Sequence, residues 1–319
     1  MPKQKARNTE VKPNGKSWLM WLTTIVSALS ALTVLGFFIV AIILVIAANA
    51  GPVGNIAVIP IEGVIVVDGT AGFGETLTSS TKIMKLLKEA DEDKEIKAIL
   101  LEIDSPGGSA VASAEIADKI KTIKKPVYAV IRSSGASGAY WIASAADRIY
   151  AHRYSVTGSI GVIGSYLEFA DLLKDYNVTY RRMVAGKYKD AGSPWKTLTK
   201  EEEGLIQQIL NTIHDGFIKE VATNRKLDEK KVRELATGFV FLGDDALKLG
   251  LIDEIGSKET AVAALEKQLN ITAELAEYSA KKTFAEEIGL VMKEAAFNVG
   301  EGVGKAIKPA AIGNIEITS

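Results

Sequence analysis

Hydrophobic positions along this chain fall into two regimes. Between Ser17 and Ile61 no residue is charged, and residues 18–50 are apolar on every side. About 20 such residues span the hydrocarbon core of a bilayer as a helix, so the pattern predicts a transmembrane segment over 17–50. Beyond Gly51 the apolar stretch breaks into short runs. Those at 56–67, 96–103, 127–131, 149–151 and 179–184 are rich in Ile and Val and read as strands. Helical patterns lie between them, near 80–90, 109–123, 138–146 and 167–176. This alternation predicts an α/β domain with a largely parallel sheet, because parallel strands need crossovers that helices supply. Residues 199–222 read as a long amphipathic helix, with Thr199 as N-cap and Glu202 as its capping-box partner. From about Ala276 the pattern changes to a helical tail at 284–297, followed by Gly300, Gly302, Gly304 and a polar end. The expected organisation is a basic N-terminus over 1–16, an anchor over 17–50, a folded domain over 51–275 and a tail over 276–319.

Charge gives the anchor a direction. The net charge is −1, yet the first sixteen residues carry five basic side chains (Lys3, Lys5, Arg7, Lys12, Lys16) against Glu10 alone, so the remainder sums to about −5. Nothing in that balance suggests a nucleic-acid-binding surface. Basic residues before a span are retained in the cytoplasm, and Trp18 and Trp21 suit its interfacial edge. The next basic residue is Lys82. The expectation is a single-pass protein of the cell membrane with a cytoplasmic N-terminus and its domain outside the cytoplasm. Ala48-Asn49-Ala50 has the small-x-small form of a signal-peptidase site, but the apolar stretch far exceeds the roughly 7–15 residues of a signal-peptide core, which favours an uncleaved anchor.

Composition narrows the chemistry. Of 319 residues 47% are hydrophobic, enough for a sizeable core, and none is cysteine. That excludes thiol catalysis, disulfides and Cys-ligated zinc, and with His152 and His214 as the sole histidines a multi-histidine metal site is hard to build. No cofactor is expected.

Two glycine-rich turns follow predicted strands, and each opens a helical pattern: Asp104-Ser105-Pro106-Gly107-Gly108-Ser109 and Ser133-Ser134-Gly135-Ala136-Ser137-Gly138-Ala139-Tyr140. Alone, each is explained by tight turns, with Ser109 or Ser137 capping the next helix. Together they suggest more. Backbone N–H groups just after a serine at a helix start lack intrahelical partners. A second N–H from a neighbouring Gly-Gly turn would complete a donor pair for a developing oxyanion. A serine hydroxyl also needs a base. His152, with Arg153 beside it, and His214, inside the long helix, both fit poorly. Lysine serves if apolar burial or a nearby cation lowers its pKa. The loop Gly186-Lys187-Tyr188-Lys189-Asp190-Ala191-Gly192-Ser193-Pro194 carries two lysines, although composition alone would leave both solvated.

These two turns, with Thr157-Gly158-Ser159-Ile160-Gly161-Val162 and Tyr188-Lys189-Asp190, occur in the order and approximate spacing of the signal peptide peptidase A family. The chain resembles that family over residues 55–276, including Phe241-Leu242-Gly243 and Gly250-Leu251-Ile252-Asp253. The resemblance implies Ser137 as nucleophile, Lys189 as general base and Ser159 as the hydroxyl that orients the lysine. It implies an oxyanion hole from the backbone N–H groups of Gly107 and Gly138. It further implies a Clp-protease-like or crotonase-like fold, a homo-oligomer on the outer face of a bacterial cytoplasmic membrane, and cleavage of short apolar peptides such as signal-peptide remnants. Relatives about twice as long resemble tandem copies in which one half supplies the lysine and the other the serine. A single-copy chain is therefore expected to build each site across a subunit interface. His152 departs from the asparagine often found there in relatives, and Lys187 stays open as an alternative base. The competing readings are a non-catalytic membrane-anchored scaffold on the same fold and an acyl-CoA enzyme. The latter is disfavoured because CoA is cytoplasmic and fold alone does not fix chemistry.

Overall fold

The computed structural model describes residues 17–49, 53–69 and 76–279, which divide between a unit ending at Pro52 and a unit beginning at Val53. In the first, helix α1 (Ser17–Asn49) contains no charged residue, and Met20–Val40 has a mean hydropathy of 2.1 with none of it buried. Its exposed Met20, Trp21 and Phe37 are matched to lipid rather than water. Thr23, Thr24, Ser30 and Thr33 donate their hydroxyls back to carbonyls of the preceding turn, so these polar groups need no outside partner in an apolar surrounding. The helix is long and apolar enough to cross a membrane.

The second unit runs β1 (Ile56–Val66), β2 (Leu77–Ser79), α2 (Ser80–Glu92), β3 (Ala98–Gly108), α3 (Ala110–Lys121), β4 (Val127–Ala136), α4 (Gly138–Ser144), β5 (Arg148–Ala151) and β6 (Val156–Gly158). It continues with α5 (Ala170–Asp175), α6 (Lys200–Arg225), α7 (Glu229–Leu235), β7 (Val240–Leu242), α8 (Gly243–Leu249), β8 (Glu254–Ile255), α9 (Lys258–Leu269) and β9 (Leu275–Glu277). The strands described form one sheet in the order β2-β1-β3-β4-β5-β8. β6 pairs with the far end of β4, β7 with β6, and β9 with β1. Every pairing is parallel except β6 with β7. The expected α/β architecture is therefore the observed one.

The central strands are apolar at nearly every position because both faces are covered. Ala57, Ile59 and Ile61 of β1 join Ile99, Leu101, Ile116, Tyr140 and Phe217 in one core, while Ile56 and Val58 face Leu100, Tyr128, Val130 and Leu265 beneath α9 in the other. α6 begins with the anticipated capping box: Thr199 Oγ1 accepts from Glu202 N–H at 3.3 Å, and Glu202 Oε2 accepts from Thr199 N–H at 3.0 Å. Its C-terminal half buries Phe217, Ile218 and Val221, and Phe217 stacks on Trp141 of α4 at 4.4 Å.

Three expectations differ. Residues 179–184 do not form a strand, and the helix near 167–176 shrinks to α5. No residue of 161–199 is buried. A strand needs an edge to accept its N–H and C=O groups, and none reaches this segment, so side-chain propensity goes unanswered. The folded unit also passes residue 275: Ala276 and Tyr278 are buried, and Tyr278 N–H donates to Val58 O at 2.8 Å. The tail expected at 284–297, the basic residues 1–16 and the end of the Ala48-Asn49-Ala50 site lie outside the described residues.

Candidate active site

Ser137 joins β4 to α4 with φ 54° and ψ −124°, a left-handed backbone that side-chain-bearing residues rarely adopt. Backbone pairing holds it there. Ser137 N–H donates to Gly158 O at 2.8 Å, and Ser137 O accepts from Trp141 N–H at 3.0 Å. α4, buried at every residue, braces the turn from beneath. The dull role for this serine was to cap the next helix, as Ser109 does for α3 through Ala112 N–H at 3.4 Å. Ser137 makes no such cap, so its half-buried hydroxyl is left for other work.

The Gly-Gly turn at the end of β3 presses against this serine. Gly107 has φ 102°, and a Cβ there would stand 2.8 Å from both Ala136 O and Gly138 N and 2.9 Å from Ser137 Cβ. Only glycine permits that approach. A Cβ at Gly138 would stand 2.2 Å from Ser113 Oγ and 3.4 Å from Gly108 N. The Gly107 N–H, the donor expected from the sequence, turns elsewhere: it donates to the buried Ser105 Oγ at 3.0 Å, which itself donates to Gly63 O at 2.6 Å. Ser109 N–H donates to Ile65 O at 2.8 Å, and Ile65 stands opposite Gly108 in the ladder. In a parallel ladder the residue opposite a bonding residue turns its own N–H away from that strand. Gly108 N–H therefore turns away from β1, and its nitrogen lies 3.4 Å from where a Cβ on Gly138 would stand.

Ser159 follows β6 with φ 52°, one residue from the Gly158 carbonyl that receives Ser137 N–H. Its N–H donates to Phe239 O at 2.9 Å and its hydroxyl to Gly238 O at 3.1 Å. Ser137, Gly138, Gly107, Gly108 and Ser159 are thus brought together by the paired ends of β3, β4 and β6.

The lysines lie on the exposed segment that follows. Lys189 is exposed on a turn whose backbone closes through Lys189 N–H to Gly186 O at 3.2 Å. Among the described residues its ammonium is in no hydrogen bond or ion pair, with Ser137 and Ser159 or with any other group. Lys187 is engaged: Glu201 accepts from it at 2.7 and 2.8 Å and also receives the Tyr188 hydroxyl. The Glu201 carboxylate pushes the Lys187 pKa up, the opposite of what a base requires. Neither histidine contacts Ser137 among the described residues. His152 is exposed and accepts Tyr154 N–H on Nδ1 at 3.2 Å, while His214 Nε2 is buried without a partner. Sequence reasoning missed Gly108 and Ser105. The adjacent glycines were visible, but that the Gly107 N–H is engaged by Ser105 depends on strand register.

A model of peptidase family S49 matches residues 119–272. The chain is 36% identical over 227 residues to "Putative protease MJ0651" of Methanocaldococcus jannaschii, a match covering 70% of this chain and 71% of that protein. It is 37% identical over 221 residues to "Putative signal peptide peptidase SppA" of Enterococcus faecium, covering 68% of this chain and 64% of the relative. Against "Protease 4" of Haemophilus influenzae identity is 35% over 218 residues, 67% of this chain but 35% of that longer protein.

Proposed function

The chain belongs to peptidase family S49, that of signal peptide peptidase A, and from this premise we propose a membrane-anchored serine peptidase with a Ser137–Lys189 dyad. The observation that carries the reading is the left-handed, uncapped Ser137 pressed against the Gly-Gly turn. Ser137 Oγ attacks the substrate carbonyl as neutral Lys189 Nζ takes its proton. The tetrahedral oxyanion is received by the N–H groups of Gly138 and Gly108, the latter in place of Gly107, whose N–H is held by Ser105. The lysine then protonates the leaving amine, and after acyl-enzyme formation it activates the hydrolytic water. Ser159 orients the lysine from beside the nucleophile. Neutral lysine at the working pH requires a desolvated setting.

That setting is supplied by a neighbouring subunit in a homo-oligomer, each site taking Ser137 from one chain and Lys189 from the next. Two features support this assembly: the exposed Lys189, and the apolar side chains that residues 161–199 turn outward, among them Ile163, Leu167, Tyr176 and Met183. The substrates are short apolar peptides such as signal-peptide remnants, met at the membrane where α1 holds the enzyme, with the peptidase unit outside the cytoplasm.

A serine-directed fluorophosphonate probe tests the reading. It should label the full-length protein and not Ser137→Ala, which should lose several orders of magnitude in kcat while melting at an unchanged temperature. Retention of more than a few per cent of peptidase activity by purified Ser137→Ala would sink the assignment.

A further inference from the structure

Lys189 projects from a turn bounded by Gly186 at φ 101° and Gly192 at φ 79°, two positions where the backbone is most permissive. A general base on such a turn needs something to hold it. Arg182 supplies two connections at once. Its Nε and Nη2 donate to the two oxygens of Asp190 at 2.5 and 2.8 Å, and Nη2 also donates to Lys187 O at 3.0 Å. The guanidinium therefore grips the backbone on one side of Lys189 and the adjacent side chain on the other. Its planar fork makes that double grip possible, which an ammonium would not reproduce.

The grip leads to firm structure. The Asp190 side chain is 10% exposed and lies 3.8 Å from Lys196 Nζ, which donates to Glu202 at 2.6 and 2.8 Å. Glu202 is the capping-box residue of α6, the helix stacked on α4 behind Ser137. We infer that Arg182 is a positioning residue for the general base, tying Asp190 and the Lys187 carbonyl together so that Lys189 leaves its turn in one direction. This rests on the reading of Lys189 as the base.

A second consequence is electrostatic. The charged groups linked in this network are Asp190, Arg182, Lys187 and Lys196 of the segment and Glu201 and Glu202 in the first turn of α6. Arg182 lies against Asp190 and holds its carboxyl below the usual range. Without the guanidinium, the Asp190 carboxylate would face only Lys196, at 3.8 Å, among the described residues.

The test is steady-state hydrolysis of a fluorogenic apolar peptide across pH by the full-length protein in detergent micelles. Arg182→Ala should lower kcat about 10- to 100-fold with KM within about twofold, as a misplacement near 1 Å does. Arg182→Ala with Asp190→Asn should stay low in kcat, because the fork that joins Asp190 to the Lys187 carbonyl is still missing. Arg182→Lys, which keeps the charge and loses the fork, should lose about tenfold in kcat with KM within about twofold. Arg181→Ala, the exposed neighbour, should match wild type. A wild-type kcat in either Arg182 variant, a loss in Arg182→Ala that appears in KM rather than kcat, or an equal loss in Arg181→Ala overturns the inference. Lys189→Ala separates the two levels. If it is inactive while Arg182→Ala is normal, this inference alone fails; if it is active, the base assignment fails as well.

Discussion

Around Ser137 the support is sheet and buried helix: β3, β4 and β6 close on the turn through backbone hydrogen bonds, and α4 beneath it is wholly buried. Around Lys189 no residue from 161 to 199 is buried, and the segment is held by ion pairs and by local contacts such as Phe169 N–H to Pro194 O at 2.7 Å. The difference separates two requirements of catalysis. Oxyanion donors must be rigid within a few tenths of an ångström, and a sheet end provides that at no reorganisation cost. A lysine base must be desolvated as well as placed, and an exposed segment acquires that environment only from something that covers it.

The contrast can be broken hardest at the serine end. Gly107→Ala places a methyl under 3 Å from Ala136 O, Gly138 N and Ser137 Cβ at a positive φ. It should cost at least about 100-fold in kcat, the scale of a lost oxyanion donor, as read by peptide hydrolysis. Wild-type activity in that variant would show that the turn is less tightly built than its contacts imply.

A test of intermediate size asks what covers the lysine. Ser137→Ala and Lys189→Ala chains, co-expressed and purified as mixed assemblies, should recover roughly a quarter of wild-type activity if each site in a ring joins two subunits. Activity no higher than either parent would refute the shared site and leave the dyad standing.

Smaller effects are expected within the segment itself. Gly192→Ala also sits at positive φ but meets nothing within 4 Å, so it should cost only about 1 kcal/mol of local strain and change kcat by less than about tenfold. A loss equal to that of Gly107→Ala would erase the distinction between the two regions.

The smallest effect concerns acid. The Arg182 guanidinium holds the Asp190 carboxyl below the ordinary carboxylate value, so this contact stabilises the fold above that value and the contribution disappears as pH falls through the lowered one. Protection against amide exchange around 182–196, taken relative to the intrinsic rate at each pH, should therefore fall below about pH 4, while that of the Ser137 turn, held by backbone pairs, should not change. An equal loss of protection in both places would contradict the division.

Much of this was legible in the sequence because it depends on short-range chemistry. The apolar character of α1 is a property of consecutive residues, and the Thr199–Glu202 box spans one helical turn. Both-sided burial makes β1, β3 and β4 read as continuous apolar runs. The Gly-Ala-Ser-Gly turn announced a serine at a strand-to-helix junction. Tertiary structure decided what depends on distant partners. Residues 179–184 have strand-type side chains, yet no edge accepts their backbone. Lys187 and Lys189 look alike in the sequence, and only the placement of Glu201 at the start of α6 ties up the first. Two adjacent glycines offer two N–H groups, and their composition cannot say which one is engaged within the chain. That choice follows from the register of Ile65 against Gly108 and from the Ser105 hydroxyl, because a backbone donor points where its strand pairing leaves it free to point.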